Sequence, residues 1–184
     1  PHFLFNTLNA GAQLAMMEGA DRTYEYVQNV AEFFRYNVKK SNDIVTVREE
    51  LELVDHYIYI LNVRFSGDIH YGKEIEEDLL DSCMPSMILQ PIVENSIYHG
   101  LERKIGTGHL DIKVTVTDSH LIIMISDDGV GIEKGQVKAM NEQLRALRLE
   151  EEKNGETGKK GGIAVKNVNN RIKLLFGEEY GIYI

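Results

Sequence analysis

An α+β fold is predicted for this chain, helical through its first third and alternating short strands with helices thereafter. Three observations carry that expectation. Apolar residues recur every three or four positions up to about residue 65, with the longest such run starting at Val47. The character then changes near Ser66-Gly67, and Leu110, Ile112, Val114 and Val116 alternate with polar neighbours as a half-buried strand requires. Glycine-rich turns punctuate the remainder, so two regions are expected, 1–67 and 68–184.

Two helices are expected between Pro1 and about Lys40, separated at Gly19-Ala20, with Asp21 capping the second. In that second helix Val27, Val30, Phe34 and Val38 form an apolar stripe, and Ser41 to Val45 reads as a short connection. Thr46-Val47-Arg48-Glu49 is a capping box, opening a long helix whose Val47, Leu51, Val54, Ile58, Leu61 and Phe65 make a continuous seam. Such a seam suits a partner helix within the chain or on another copy, and spacing alone does not choose between them.

Pro85 is expected to open a helix running to about His99. After the strand at Leu110–Val116 and a turn at Asp118-Ser119, the apolar run Leu121 to Ile125 reads as a central strand presenting Asp127 at its end. A charged helix from about Glu133 to Glu152 leads into Lys153–Gly162, too polar and glycine-rich to pack by itself and read as a mobile lid. Val165, Val168, Ile172 and Leu175 mark another amphipathic helix, and Tyr180 to Ile184 reads as the start of a strand.

Composition narrows the function classes. The chain has 184 residues, 43% of them hydrophobic, and a formal net charge of −9. That charge argues against a nucleic-acid backbone or an anionic membrane surface as the main partner. The single cysteine, Cys83, excludes an intrachain disulfide framework and a cysteine-based zinc cluster, and reads as a small buried hydrophobe. No run reaches the about 18 apolar residues of a membrane span. Both ends read as cut, which leaves room for a membrane or sensor segment outside these residues.

The chemistry-bearing residues fall into three groups. Asn95 and His99 share a helix face, where Asn95 offers an amide oxygen to Mg²⁺ and Glu94 a base. Asp127 closes an apolar strand beside Gly129 and Gly131, a carboxylate able to take a charge-assisted hydrogen bond from the exocyclic amine of adenine while the glycines leave room for the base. Gly161-Gly162 at a helix start can expose backbone N–H groups to phosphate oxygens, with Lys159 and Lys160 adding positive charge. Together they read as a site for a magnesium nucleotide. A separate polar stripe of His2, Asn6, Asn9 and Gln13 can hold a neutral imidazole with one nitrogen bonded and the other free to attack phosphorus.

The string Pro1-His2-Phe3-Leu4-Phe5-Asn6-Thr7-Leu8-Asn9 resembles the phosphoacceptor box of LytS-like sensor histidine kinases. Phe34-Arg35-Tyr36, Val47 to Glu52, Tyr57, Arg64-Phe65, Leu89 to Asn95 and His99-Gly100 are similar to that family's pattern and follow in its order. The resemblance covers essentially the whole chain. It implies N-terminal dimerisation helices followed by a GHKL (Bergerat) α/β sandwich that binds ATP, lacking its last strands. It further implies that His2 accepts the γ-phosphoryl group, with Asn95 on Mg²⁺, Asp127 on adenine and Glu94 as base, since no carboxylate directly follows His2. A homodimer through the N-terminal helices, including the seam above, a response-regulator receiver domain as phosphate acceptor and a cytoplasmic position beneath a cell-membrane sensor complete the expectation. The family's lid pattern, Gly-x-Gly-hydrophobic-Gly-Leu, is here Lys160-Gly161-Gly162-Ile163-Ala164-Val165. That departure keeps two alternatives in view: a nucleotide-holding dimeric module without phosphoryl transfer, and a GHKL ATPase acting as a clamp.

Overall fold

The computed structural model describes residues 2–38, 43–65, 68–102, 104–146 and 163–184. The chain starts with a helical hairpin, α1 (His2–Met17) and α2 (Asp21–Val38). Its joint is closed by hydrogen bonds from the N–H of Gly19 to the Met16 carbonyl (3.1 Å) and of Ala20 to the Ala15 carbonyl (2.8 Å), with Gly19 at φ 70°. Ala20 supplies the first carbonyl of α2 to Tyr24 (3.0 Å), so Asp21 is already the first helical residue. It therefore acts on the helix dipole rather than as the expected cap. Ala12, Ala15 and Ala31 are the buried residues of this hairpin, small enough to let the two helices close up, while Phe34 and Val38 of the expected stripe are exposed.

A short strand follows, β1 (Ile44–Thr46), where a plain connection was expected; it pairs antiparallel with β3 (Cys83–Pro85). Thr46 then caps α3 (Val47–Arg64): its hydroxyl accepts the N–H of Glu49 (3.2 Å), and the Glu49 carboxylate accepts the N–H of Thr46 (2.8 Å). After β2 (Ile69–Ile75) and a 3-10 turn at Glu77–Leu79, the helix α4 (Leu89–Asn95) passes into a π-helical stretch, Ser96–Leu101. Two strands, β4 (Gly108–Val116) and β5 (Leu121–Asp127), and two helices, α5 (Lys134–Ala146) and α6 (Ile163–Phe176), complete the described chain.

The sheet runs in the order β2-β4-β5, with β2 parallel and β5 antiparallel to β4. A parallel pair needs a crossover, and α4 with its π-helical continuation supplies it. One hydrophobic core unites the sheet with the helices: Leu110, Ile112 and Val114 of β4 are buried together with Val93, Ile97, Val168 and the α3 residues Val47, Leu51, Val54, Tyr57, Ile58 and Leu61. The α3 seam is thus consumed inside the chain. It does not offer the subunit contact expected from the resemblance, because the sheet and α4 supply the partner surface that helical spacing left open.

Four further expectations are corrected. Pro85 lies in β3 and the helix begins at Leu89. Cys83 is exposed. β5 lies at the edge of the described sheet, with Leu121, Ile123 and Ile125 half-buried and Ile122 and Met124 exposed, so its apolar run covers one face rather than two. The terminal residues after Tyr180 form no strand; Asn169 Oδ1 accepts the N–H of Ile182 (2.9 Å), while Asn141 pairs with both the N–H (2.9 Å) and the carbonyl (2.6 Å) of Ile184. Amide side chains take up the backbone groups a neighbouring strand would have used. The expected helix residues beyond Ala146 and the lid lie outside the described residues.

Removing the Thr46 hydroxyl leaves Glu49 N–H unsatisfied at the head of α3. Thr46→Ala is expected to lower stability by about 1 kcal/mol, read as a reduced urea midpoint at unchanged slope.

Candidate functional site

β5 delivers Asp127 into the turn Asp128-Gly129-Val130-Gly131. Asp127 Oδ1 accepts the N–H of Gly129 at 3.0 Å, which orients the exposed carboxylate from its own turn. The end of the π-helical stretch meets this turn: the N–H of Val130 donates to the Gly100 carbonyl at 3.3 Å. A Cβ on Gly100 would stand 2.6 Å from Asp127 Oδ1, and one on Gly129 would stand 2.4 Å from the Gly100 carbonyl carbon. At Gly129 the clash is with backbone and only glycine fits, whereas a side chain at Gly100 would displace the Asp127 carboxylate. Asp127 Oδ2 accepts no hydrogen bond among the described residues, leaving a carboxylate oxygen available beside a bare backbone.

The adjacent Asp128 is fully engaged in the opposite direction. Its carboxylate takes Lys104 Nζ (2.6 Å) and the His109 N–H (2.8 Å), and one oxygen lies 2.8 Å from His109 Nδ1. The bond from Lys104, then that from the His109 backbone, hold its carboxyl well below the usual carboxylate range. Of two neighbouring aspartates, one anchors the turn and the other stays open to a ligand.

Glu94 and Asn95 ride on α4, whose start is set from a distance. Glu50 is fully buried on α3, where its carboxylate accepts the N–H groups of Met87 (2.6 Å), Ile88 (2.8 Å) and Leu89 (3.0 Å). These are the orphan donors of a helix N-terminus, and a carboxylate matches the dipole there. Met87 adopts φ 58° to present its N–H, a conformation that costs a non-glycine residue roughly 1–2 kcal/mol. The start of α4 at Leu89, rather than at Pro85, follows from this contact. Sequence reading missed Glu50, although a signal existed: a carboxylate among Val47, Leu51 and Val54 on an otherwise apolar face.

Along α4, Gln90 Nε2 donates to Glu94 Oε1 at 2.9 Å. Facing it from α3, Tyr57 Oη is buried without a hydrogen-bond partner, and burial, followed by the Glu94 charge, pushes its hydroxyl pKa up. Gln90 Oε1 and Asn95 Nδ2 are likewise buried and unpaired. Buried polar atoms are normally hydrogen-bonded, so three left unpaired on or beside α4 set this stretch apart. Past Asn95 the helix widens, with the Glu102 N–H reaching the Ile97 carbonyl five residues back at 2.8 Å. Such π turns concentrate at functional sites, and here the turn carries exposed His99 and brings Gly100 to the Asp127 turn.

The structure therefore joins the α4 group to the Asp127 group through Gly100 and Gly129. Gly131, at φ 71°, continues the same turn. His2 stands apart at the exposed start of α1, its Nδ1 3.1 Å from the Asn6 amide. Lys160, Gly161 and Gly162 lie outside the described residues. For Mg²⁺, the group these residues offer is the Asn95 amide oxygen; the unpaired Nδ2 is a donor and holds no cation, and among the described residues no group of three or more His, Cys, Asp or Glu gathers to hold a metal. That donor set suits a cation completed by water and phosphate oxygens.

Residues 1–69 match the histidine kinase family, and residues 84–182 match the histidine kinase-, DNA gyrase B-, and HSP90-like ATPase family. The chain belongs to the LytS-like sensor histidine kinases. It is 34% identical to the sensor protein LytS of Oceanobacillus iheyensis, covering 100% of this chain and 30% of that protein. It is 32% identical to the sensor histidine kinase YpdA of Escherichia coli, again over 100% of this chain and 30% of the relative. For BtsS of Escherichia coli the identity is 29%, over 100% of this chain and 29% of the relative. The chain thus spans about 30% of the length of the curated relatives it matches. The GHKL fold expected of this kinase family accords with the mixed sheet backed by helices. Among the described residues, no helix is long and apolar enough to cross a membrane.

The contact between Gly100 and Gly129 leaves no room for a methyl group on Gly129. Gly129→Ala is expected to force the turn off the π-helical end and destabilise by roughly 1–3 kcal/mol, measured by urea denaturation. Unchanged stability would mean that the two backbones do not meet.

Proposed function

We propose that this chain is the kinase core of a sensor histidine kinase: it binds ATP with Mg²⁺, phosphorylates His2 and passes the phosphoryl group to a response-regulator receiver domain. The observation that carries this reading is the open carboxylate of Asp127 held against the Gly100–Gly129 backbone contact. A flat base can slide along a surface without side chains while its amino group donates to Asp127. Gly131 belongs to the same wall. Asn95 would hold Mg²⁺ and His99 face the phosphates; the bound cation would supply charge neutralisation on the phosphate oxygens. Lys160, Gly161 and Gly162 are assigned to the phosphates on sequence grounds.

In the transfer, a nitrogen of the His2 imidazole forms a bond to the γ-phosphorus as the bond to the β,γ-bridging oxygen breaks, and ADP leaves with that electron pair. The imidazole proton goes to Glu94, whose carboxylate Gln90 orients. Asn6, whose amide nitrogen lies 3.1 Å from His2 Nδ1, holds the ring at that nitrogen. Most of the rate enhancement in such transfers comes from positioning and charge stabilisation.

The proposed division of labour assigns residues 1–67 to dimerisation and phosphoacceptance, with the α1–α2 hairpin doing the pairing while α3 packs in the shared core, and 68–184 to nucleotide binding. With the α3 seam buried, the exposed apolar residues of α1, among them Phe3, Leu14 and Met17, support pairing of two chains through the N-terminal helices. The acidic chain speaks against a nucleic-acid partner. A cytoplasmic position, with any membrane attachment through other segments, fits a chain that takes ATP.

Incubation with ATP and Mg²⁺ is expected to leave acid-labile, alkali-stable phosphate that His2→Ala abolishes. Asp127→Asn is expected to weaken ATP binding roughly tenfold, the worth of one charge-assisted hydrogen bond, by calorimetry. Labelling that survives His2→Ala would overturn the acceptor assignment; steady phosphate release without labelling would indicate an ATPase instead.

A further inference from the structure

The buried Glu50 carboxylate does more than start a helix. On one side it holds three N–H groups at the head of α4; on the other, Tyr36 Oη of α2 donates to the same Oε1 that takes the Met87 N–H, at 3.4 Å. One fully buried group therefore touches the hairpin that carries His2 and the helix that carries Glu94 and Asn95. Among the described residues no cation pairs with Glu50, and these four donors are the ones that meet its carboxylate. Any shift of Tyr36 changes the donor set of Oε1, and with it the hold on Met87, whose left-handed backbone persists only under that hold.

We propose that Glu50 and Tyr36 are positioning residues for the phosphotransfer site: the seat of α2 on Glu50 sets the placement of Asn95 and Glu94, and so couples the phosphoacceptor hairpin to nucleotide binding. The inference rests on the assignment of Asn95 to Mg²⁺ made above. It differs from ordinary structural support in a specific way. Asp127 sits on β5 and is not held by Glu50, so loosening Glu50 affects the metal-dependent part of ATP affinity and spares the adenine contact.

The test compares Tyr36→Phe with Tyr59→Phe in the full chain. Tyr59 Oη donates to Glu25 Oε2 at 3.0 Å, a second tyrosine–carboxylate bond between α3 and α2 that does not reach α4. ATP affinity is measured by calorimetry with and without Mg²⁺, and amide hydrogen exchange is followed at Met87, Ile88 and Leu89. In Tyr36→Phe the gain in affinity on adding Mg²⁺ should fall roughly threefold, metal-free affinity should hold, and the three amides should exchange faster. Tyr59→Phe should change none of these. Glu50→Gln, which removes an acceptor oxygen from two of the donors, should act in the same direction and more strongly. Equal behaviour of the two tyrosine variants, or a parallel fall of both affinities, overturns the proposal. If the parent chain takes up no ATP, the assignment of Asn95 fails, whereas unchanged exchange in Tyr36→Phe defeats the mechanical link by itself.

Discussion

The C-terminal site depends on one close approach, where the backbone of the Gly129 turn meets the backbone of Gly100. That meeting brings the last strand of the described sheet against the helix that crosses over between β2 and β4. Without it, Asp127 and the α4 side chains would belong to separate parts of the fold. The π-helical widening after Asn95 makes the approach possible by carrying Gly100 outward, and the Val130–Gly100 hydrogen bond fastens it. Two glycines far apart in sequence are thus a single structural requirement.

Electrostatics refines this geometry. Asp128 is tied down by Lys104 and His109, which leaves the turn rigid and Asp127 outward. Since its carboxyl is held below the usual range, it stays ionised and the tie persists through neutral and mildly acidic pH. On the other side, Glu50 spends a buried charge on the head of α4. Breaking such a group's hydrogen bonds is costly because the charge has nowhere else to go. Fixed carboxylates therefore stand behind both halves of the site, and Asp127 and Asn95, the groups proposed to meet the ligand, are left incompletely bonded among the described residues.

How much of this was legible in the residues depends on the range of the interaction. The Thr46–Glu49 capping box is local and reads directly, as does the alternation in β4. The seam of α3 reads as a buried face, but its partner does not, because the same spacing serves a sheet within the chain or a second chain. Glu50 looked like one more acid in an acidic string; only its contact with residues nearly forty positions away reveals why α4 starts at Leu89. The run Leu121–Ile125 resembled a doubly covered strand because an edge strand with one exposed apolar face has the same composition. Asp127, Gly129, Asn95 and His99 were found as residue types suited to a nucleotide, but their convergence needed the fold. The phosphoacceptor role proposed for His2 rests on the family resemblance alone, since its surroundings are a plain exposed helix start.

The central claim is that Asp127 reads adenine. Adenine presents an amino donor where guanine presents a carbonyl acceptor, so the two bases should part company at this carboxylate. Titrating ATP and GTP separately while following the backbone amide resonances of Gly129 and Val130 tests this most directly. The account predicts saturable shifts with ATP and little response to GTP; equal responses, or none to ATP, would contradict it.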